Sequence, residues 1–134
     1  MAPARGSLHH LEIWVADLDA GRASWGWLLT QLGYAVDSTW DRGTSWRLGD
    51  AYVVVESGPD VVGGGHDRRR PGLNHVALHA GSRAEVDALV ADGDDHGWTL
   101  LFADRHPYAG GPTHYAAYLE DAQGFEVELV ADGA

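Results

Sequence analysis

The chain repeats its own order of secondary-structure signals, and that repetition restricts the fold more than any other feature. From Leu8 to Ala16 apolar and polar residues alternate. Leu11, Ile13 and Val15 fall on one side and His10, Glu12 and Trp14 on the other, the period of a strand with one buried face. Asp17 is placed to cap a helix over Ala20–Leu32, with Ala23, Trp27 and Leu28 at helical spacing and Gly33 as its stop. Three strands are expected next, Tyr34–Trp40, Thr44–Leu48 and Ala51–Glu56, with turns at Asp41-Arg42-Gly43 and Gly49-Asp50. A stretch interrupted by Gly and Pro follows, and then the order restarts. Leu73–Ala80 reads as a strand, Ser82 caps a helix running to about Asp95 with Val86, Leu89 and Val90 on its apolar side, and Trp98–Phe102, His114–Glu120 and Phe125–Val130 supply three more strands. His10 and His75, 65 residues apart, mark the repeat.

Tandem βαβββ modules predict an α+β fold in which a curved mixed sheet presents a concave site. The expected organisation is one domain over 1–134, with module one at about 8–57, a linker at 58–72 and module two at about 73–131. In the linker, Arg68-Arg69-Arg70 reads as a solvated charge run.

Composition narrows the chemistry. With 9 Lys+Arg against 20 Asp+Glu the formal net charge is −11, so the chain lacks the cations that a nucleic-acid backbone requires. No apolar run approaches the ~20 residues of a membrane span, and no secretory leader is recognisable, so a cytoplasmic location is the expectation. The absence of cysteine excludes disulfides, thiolate metal sites and cysteine nucleophiles. Histidine and carboxylate remain. His10 and His75 lie in the first strand of each half, Glu56 and Glu128 in the last, each on the side opposite the apolar residues. If a pseudo-twofold relates the halves, two imidazoles and two carboxylates converge, a donor set that suits Zn, Ni, Co, Mn or Fe as the divalent ion. Glu12, Trp14, Trp46, His79, His114 and Tyr118 are candidate pocket residues, with core or surface roles as the rival reading for each.

Three segments carry a resemblance. His10-Leu-Glu-Ile-Trp-Val-Ala-Asp17-Leu18, Leu73-Asn-His75-Val-Ala-Leu78 and Asp121-Ala-Gln-Gly124-Phe-Glu-Val-Glu128-Leu-Val130 resemble the opening strand, the second-module strand and the terminal strand of the vicinal oxygen chelate superfamily. That superfamily holds glyoxalase I, bleomycin-resistance proteins, extradiol dioxygenases, fosfomycin-resistance enzymes and methylmalonyl-CoA epimerase. The resemblance implies His10, Glu56, His75 and Glu128 as ligands of a divalent metal, with Glu56 or Glu128 as the catalytic base of a glyoxalase-like isomerase or lyase step on a small oxygenated substrate. It also implies a homodimer, whose ligands could meet across two chains. Trp14 and Asp60 stand where glutathione-binding relatives carry Arg and Asn, so a glutathione adduct is not the expected substrate. The alternatives are a metal-free drug-binding protein of the bleomycin-resistance type, which the acidity and the six tryptophans suit, and an extradiol-type dioxygenase.

Overall fold

A computed structural model describes residues 2–133. The chain divides into two compact units, one running to Gly64 and the other beginning at Gly65. Unit 1 contains β1 (His10–Trp14), α1 (Leu18–Gln31), β2 (Ala35–Trp40), β3 (Gly43–Leu48) and β4 (Ala51–Glu56). Its four strands lie in the order β1-β4-β3-β2, with β1 parallel to β4 and the other pairs antiparallel. Unit 2 repeats this plan with β5 (Val76–His79), α2 (Arg83–Gly93), β6 (Trp98–Leu100), β7 (Ala116–Asp121) and β8 (Glu126–Val130), ordered β5-β8-β7-β6. The result is two mixed sheets with one helix each, the α+β architecture that the duplicated pattern predicts. Among the described residues no helix is long and apolar enough to cross a membrane.

The helix signals act as the sequence indicates. The Asp17 carboxylate accepts the amide of Ala20 at 3.0 Å, and Ser82 and Glu85 form a reciprocal capping box at the start of α2. The buried stripe of α1 differs from the one expected. Gly21, Trp25, Leu28 and Leu29 face the sheet, while Trp27 is half-buried and Ala23 exposed. Gly21 decides this, because a Cβ there would lie 3.0 Å from Val15 and 3.1 Å from Val55. Any larger residue would press on the Val15 and Val55 methyls as the helix approaches β1 and β4. Ile13, Val15, Val53 and Val55 complete the unit 1 core, each such side chain contributing about 1.5–3 kcal/mol on burial. Trp46, expected in a pocket wall, belongs to this core instead. It is 4% exposed, and its indole lies under Gly26, where a Cβ would come within 3.1 Å of it.

In unit 2, Phe125, Val127 and Leu129 pack towards the core as alternation requires, yet Glu126 and Glu128 on the opposite face of β8 are also buried. A strand with carboxylates buried on one face needs cationic or hydrogen-bonding partners there. Those partners define the site.

Candidate functional site

Pairing register decides which expected site residues meet. In unit 1, β1 and β4 place His10 beside Tyr52 and Trp14 beside Glu56. His10 and Glu56 are therefore four rows apart, about 13 Å along the strands, and are not brought together. His10 stacks flat on Tyr52 (4.7 Å between centroids, 3° between planes), and its Nδ1 is 2.9 Å from Nδ1 of His9. Glu56 instead accepts the indole N–H of Trp40 at 2.9 Å. Glu12 accepts the indole N–H of Trp14 at 2.6 Å. Trp14, Arg42, Glu56, Pro59, Asp60 and Val61 line a cleft of about 160 Å³, and Arg42 has no carboxylate within 4.0 Å among the described residues.

Unit 2 does gather its polar residues. β5 pairs Ala77 with Glu128, and two rows earlier His75 reaches Glu126 and Glu128. His75 Nε2 is 3.0 Å from Glu128 Oε1, and His114 Nε2 is 2.5 Å from Glu128 Oε2. One carboxylate with 7% of its surface exposed thus lies between two imidazoles. Tyr118 is the cross-strand partner of Glu128 and stands beside the same carboxylate. Burial first, then the charge of Glu128, pushes the Tyr118 hydroxyl above its ordinary ionisation range, so it remains a donor.

The segment 101–115 delivers His114, and its close approach depends on Gly110. A Cβ at that position would lie 2.6 Å from the Tyr118 hydroxyl and 2.7 Å from His114 Cδ2. His79, expected in the pocket, lies elsewhere: its side chain is 86% exposed and its Nδ1 pairs with Asp132 at 2.8 Å. Its position at the end of β5 puts it opposite Val130, two rows beyond Glu128.

Three further residues complete the cluster: Glu126 and Asn74, not singled out in the sequence, and Arg68, expected in a solvated charge run. Glu126 shares the face of Glu128, and burial holds its carboxyl above the usual range although His75 and Arg68 pull it down. Its Oε1 accepts no hydrogen bond and lies 3.4 Å from Arg68 Nε. Arg68 also donates to Glu120 at 2.8 Å, so it bridges two strands and is no solvated run member; Arg69 and Arg70 do remain exposed. Asn74 links the backbone of Arg68 to His75. Parity could have exposed Glu126, since residues two apart on a strand share a face. Nothing in the sequence pairs Arg68 or Asn74 with their partners.

The donors suit a divalent ion by type, but their placement does not. Both oxygens of Glu128 are taken up by imidazole nitrogens. Among the described residues, no three His, Asp or Glu side chains are arranged to hold a metal ion.

Fold and residues together define the class: the chain belongs to the glyoxalase/bleomycin resistance protein/dioxygenase superfamily, whose model matches residues 9–118. It is 42% identical over 125 residues to the uncharacterised protein YqjT of Bacillus subtilis (strain 168), an alignment covering 92% of this chain and 98% of that one. A crystal structure of a candidate glyoxalase from Bacillus halodurans is 44% identical, with a TM-score of 0.89 over 96% of this chain and 97% of the other. A glyoxalase/bleomycin resistance protein from Albidiferax ferrireducens T118 shares the fold at 20% identity, with a TM-score of 0.73 over 93% and 98% of the two chains.

Proposed function

We propose that the chain is a glyoxalase-like enzyme that moves a proton on a small oxygenated substrate, an isomerase- or lyase-type step, with the unit 2 cluster as its acid–base centre. The carrying observation is Glu128, a buried carboxylate shared by Nε2 of His75 and Nε2 of His114. A carboxylate on one ring nitrogen orients an imidazole and leaves the far nitrogen for proton transfer. His114 is the ring with that nitrogen open: its side chain is 39% exposed, and among the described residues its Nδ1 has no hydrogen-bond partner. His75 has both nitrogens engaged and steadies the carboxylate. The Tyr118 hydroxyl is the neighbouring donor for an oxygen that gains charge.

A divalent ion is the cofactor that the family resemblance implies. His75, His114 and Glu128 are the donors unit 2 could offer, but as placed they hold one another, so no step here is routed through a metal. A glutathione adduct is not the substrate in this reading, since Trp14 and Asp60 line the unit 1 cleft. A homodimer and a cytoplasmic location belong to the same reading.

The test is carbon–hydrogen exchange in D₂O, followed by NMR, with 2-oxoaldehydes, their adducts with simple thiols, and 2-hydroxy ketones. Exchange next to the carbonyl that vanishes in His114→Ala and Glu128→Gln supports the reading; exchange indifferent to both variants ends it. Elemental analysis of protein purified without chelator runs alongside, and stoichiometric metal that disappears in His75→Ala would restore the ion to the centre.

One observation favours a second reading. The unit 1 cleft sets the half-exposed Trp14 beside Glu56 and Asp60 in a chain of net charge −11, a combination suited to a planar cationic drug. Quenching of tryptophan fluorescence by such drugs, lost in Trp14→Ala and accompanied by no exchange with any substrate, would make the protein a binder.

A further inference from the structure

Residues 65–74 form a strap clamped to the unit 2 sheet. The His66 amide donates to the Gln123 carbonyl at 3.0 Å, and its ring stacks on Phe125 (4.5 Å, 2°) with Nε2 3.0 Å from the carbonyl of Leu73. Where the strap passes Gly124, a Cβ would overlap the His66 carbonyl, so no side chain fits between strap and sheet. Further along, the guanidinium of Arg68 is tied to Glu120 and Glu126. The backbone carbonyl of Arg68 is therefore held in place, and Asn74 Nδ2 lies 2.9 Å from it.

That contact fixes the amide of Asn74. A backbone carbonyl can only accept, so the nitrogen of the amide must face Arg68 and the oxygen must face His75. The oxygen, Oδ1, is 2.6 Å from His75 Nδ1. It carries no proton, so Nδ1 must supply one. The neutral tautomer with its hydrogen on Nε2 would set two lone pairs against each other across this distance. We infer that Asn74 is a positioning residue that locks His75 with Nδ1 protonated, so that Nε2 is the nitrogen turned to Glu128 Oε1. Glu126 Oε2, 3.7 Å from Nδ1, is too far to accept a hydrogen bond but favours the same tautomer. The inference gives the strap a role: it transmits the geometry of Arg68 to the ring that steadies Glu128. Its bearing on catalysis rests on the acid–base reading above, whereas the tautomer itself does not.

The experiment is long-range ¹H–¹⁵N correlation of the imidazole rings in the full chain, without substrate. The wild-type His75 is expected to show a protonated Nδ1, either alone or together with a protonated Nε2. A neutral ring protonated at Nε2 overturns the inference with no variant needed. Asn74→Ala is expected to shift His75 towards that Nε2–H form, and Asn74→Asp, which keeps an acceptor at Nδ1, to retain the wild-type pattern. If Asn74→Ala leaves the pattern unchanged, or if Glu126→Gln alone abolishes it, Asn74 is not the locking group. Failure of the exchange assay would remove the catalytic reading while leaving these spectra intact, so the two claims fail separately.

Discussion

The two units share one topology and differ in what their parallel strand pairs hold. Beside His10 on β4 stands Tyr52, and the pair is an aromatic stack reinforced by Arg47, whose guanidinium lies 4.8 Å from the Tyr52 centroid. The equivalent row of unit 2 sets His75 against Glu126, with Glu128 two rows further on. Counted by rows, the counterpart of Glu128 in unit 1 is Val54, and the counterpart of Glu56 is Val130. The two glutamates that look equivalent in the sequence are thus two rows apart, about 7 Å. On this face unit 1 leaves His10 and Glu12 exposed, whereas unit 2 buries Glu126 and Glu128. The same scaffold occurs twice, and among the described residues only unit 2 sets a buried carboxylate between two imidazoles.

The largest effect expected of this asymmetry is on turnover. Glu128→Gln keeps the shape but loses the charge shared by two imidazoles, and exchange activity should fall by roughly 10²–10⁴-fold. Glu56→Gln, two rows out of register in unit 1, should change it by less than about threefold, because it disturbs only the Trp40 hydrogen bond. Equal losses from the two variants would break the comparison.

Gly110→Ala comes next. Unit 1 has no counterpart of the 101–115 segment, and a methyl group at 110 must displace either His114 or Tyr118. Activity is expected to drop by more than tenfold while the melting temperature moves by only a few degrees, the shift for about 1 kcal/mol in a domain of this size.

Tyr52→Ala should do the opposite. Losing the stack on His10 costs about 0.5–1.5 kcal/mol beyond area burial, read as a lower denaturant midpoint, with exchange activity unaltered. A fall in activity would draw His10 into the site.

The smallest effects are pH slopes, and they have opposite signs. Glu126 and Asp67 both face strap arginines, but one is buried and the other open to solvent. Burial raises the folded pKa of Glu126, so its ionisation opposes folding. The wild type should therefore lose stability relative to Glu126→Gln as pH rises from the ordinary carboxylate range through the raised folded value. The hydrogen bonds from Arg69 lower that of Asp67. Its contribution is present above its unfolded value of about 4 and disappears as pH falls through the folded one, so Asp67→Asn should cost stability only above that range. Urea titrations across pH 3 to 8 read both, and parallel slopes would show that burial does not separate the two carboxylates.

Much of this molecule can be read from its sequence because the relevant physics is local. Alternation in β1 separates Ile13 and Val15 from His10, Glu12 and Trp14, and Asp17, Ser82 and Glu85 cap their helices through contacts three residues away. Trp27 and Trp46 are harder. Which face of α1 is buried depends on Gly21 and Gly26 admitting Val15 and Trp46, a matter of approach between elements and not of spacing within one. Arg68 and Asn74 lie in a segment without periodicity, where no pattern announces a partner 52 residues away.

Sequence alone therefore determined the duplicated βαβββ order, the caps, and the side of each strand on which a polar residue stands. Tertiary structure decided the rows. A side-chain period of two returns every residue to its own face after any even shift, so alternation cannot tell Glu56 opposite Trp14 from Glu56 opposite His10. Only the hydrogen-bonded pairing of β4 on β1 and of β8 on β5 makes that choice, and it leaves His10 on a tyrosine and His75 on a carboxylate.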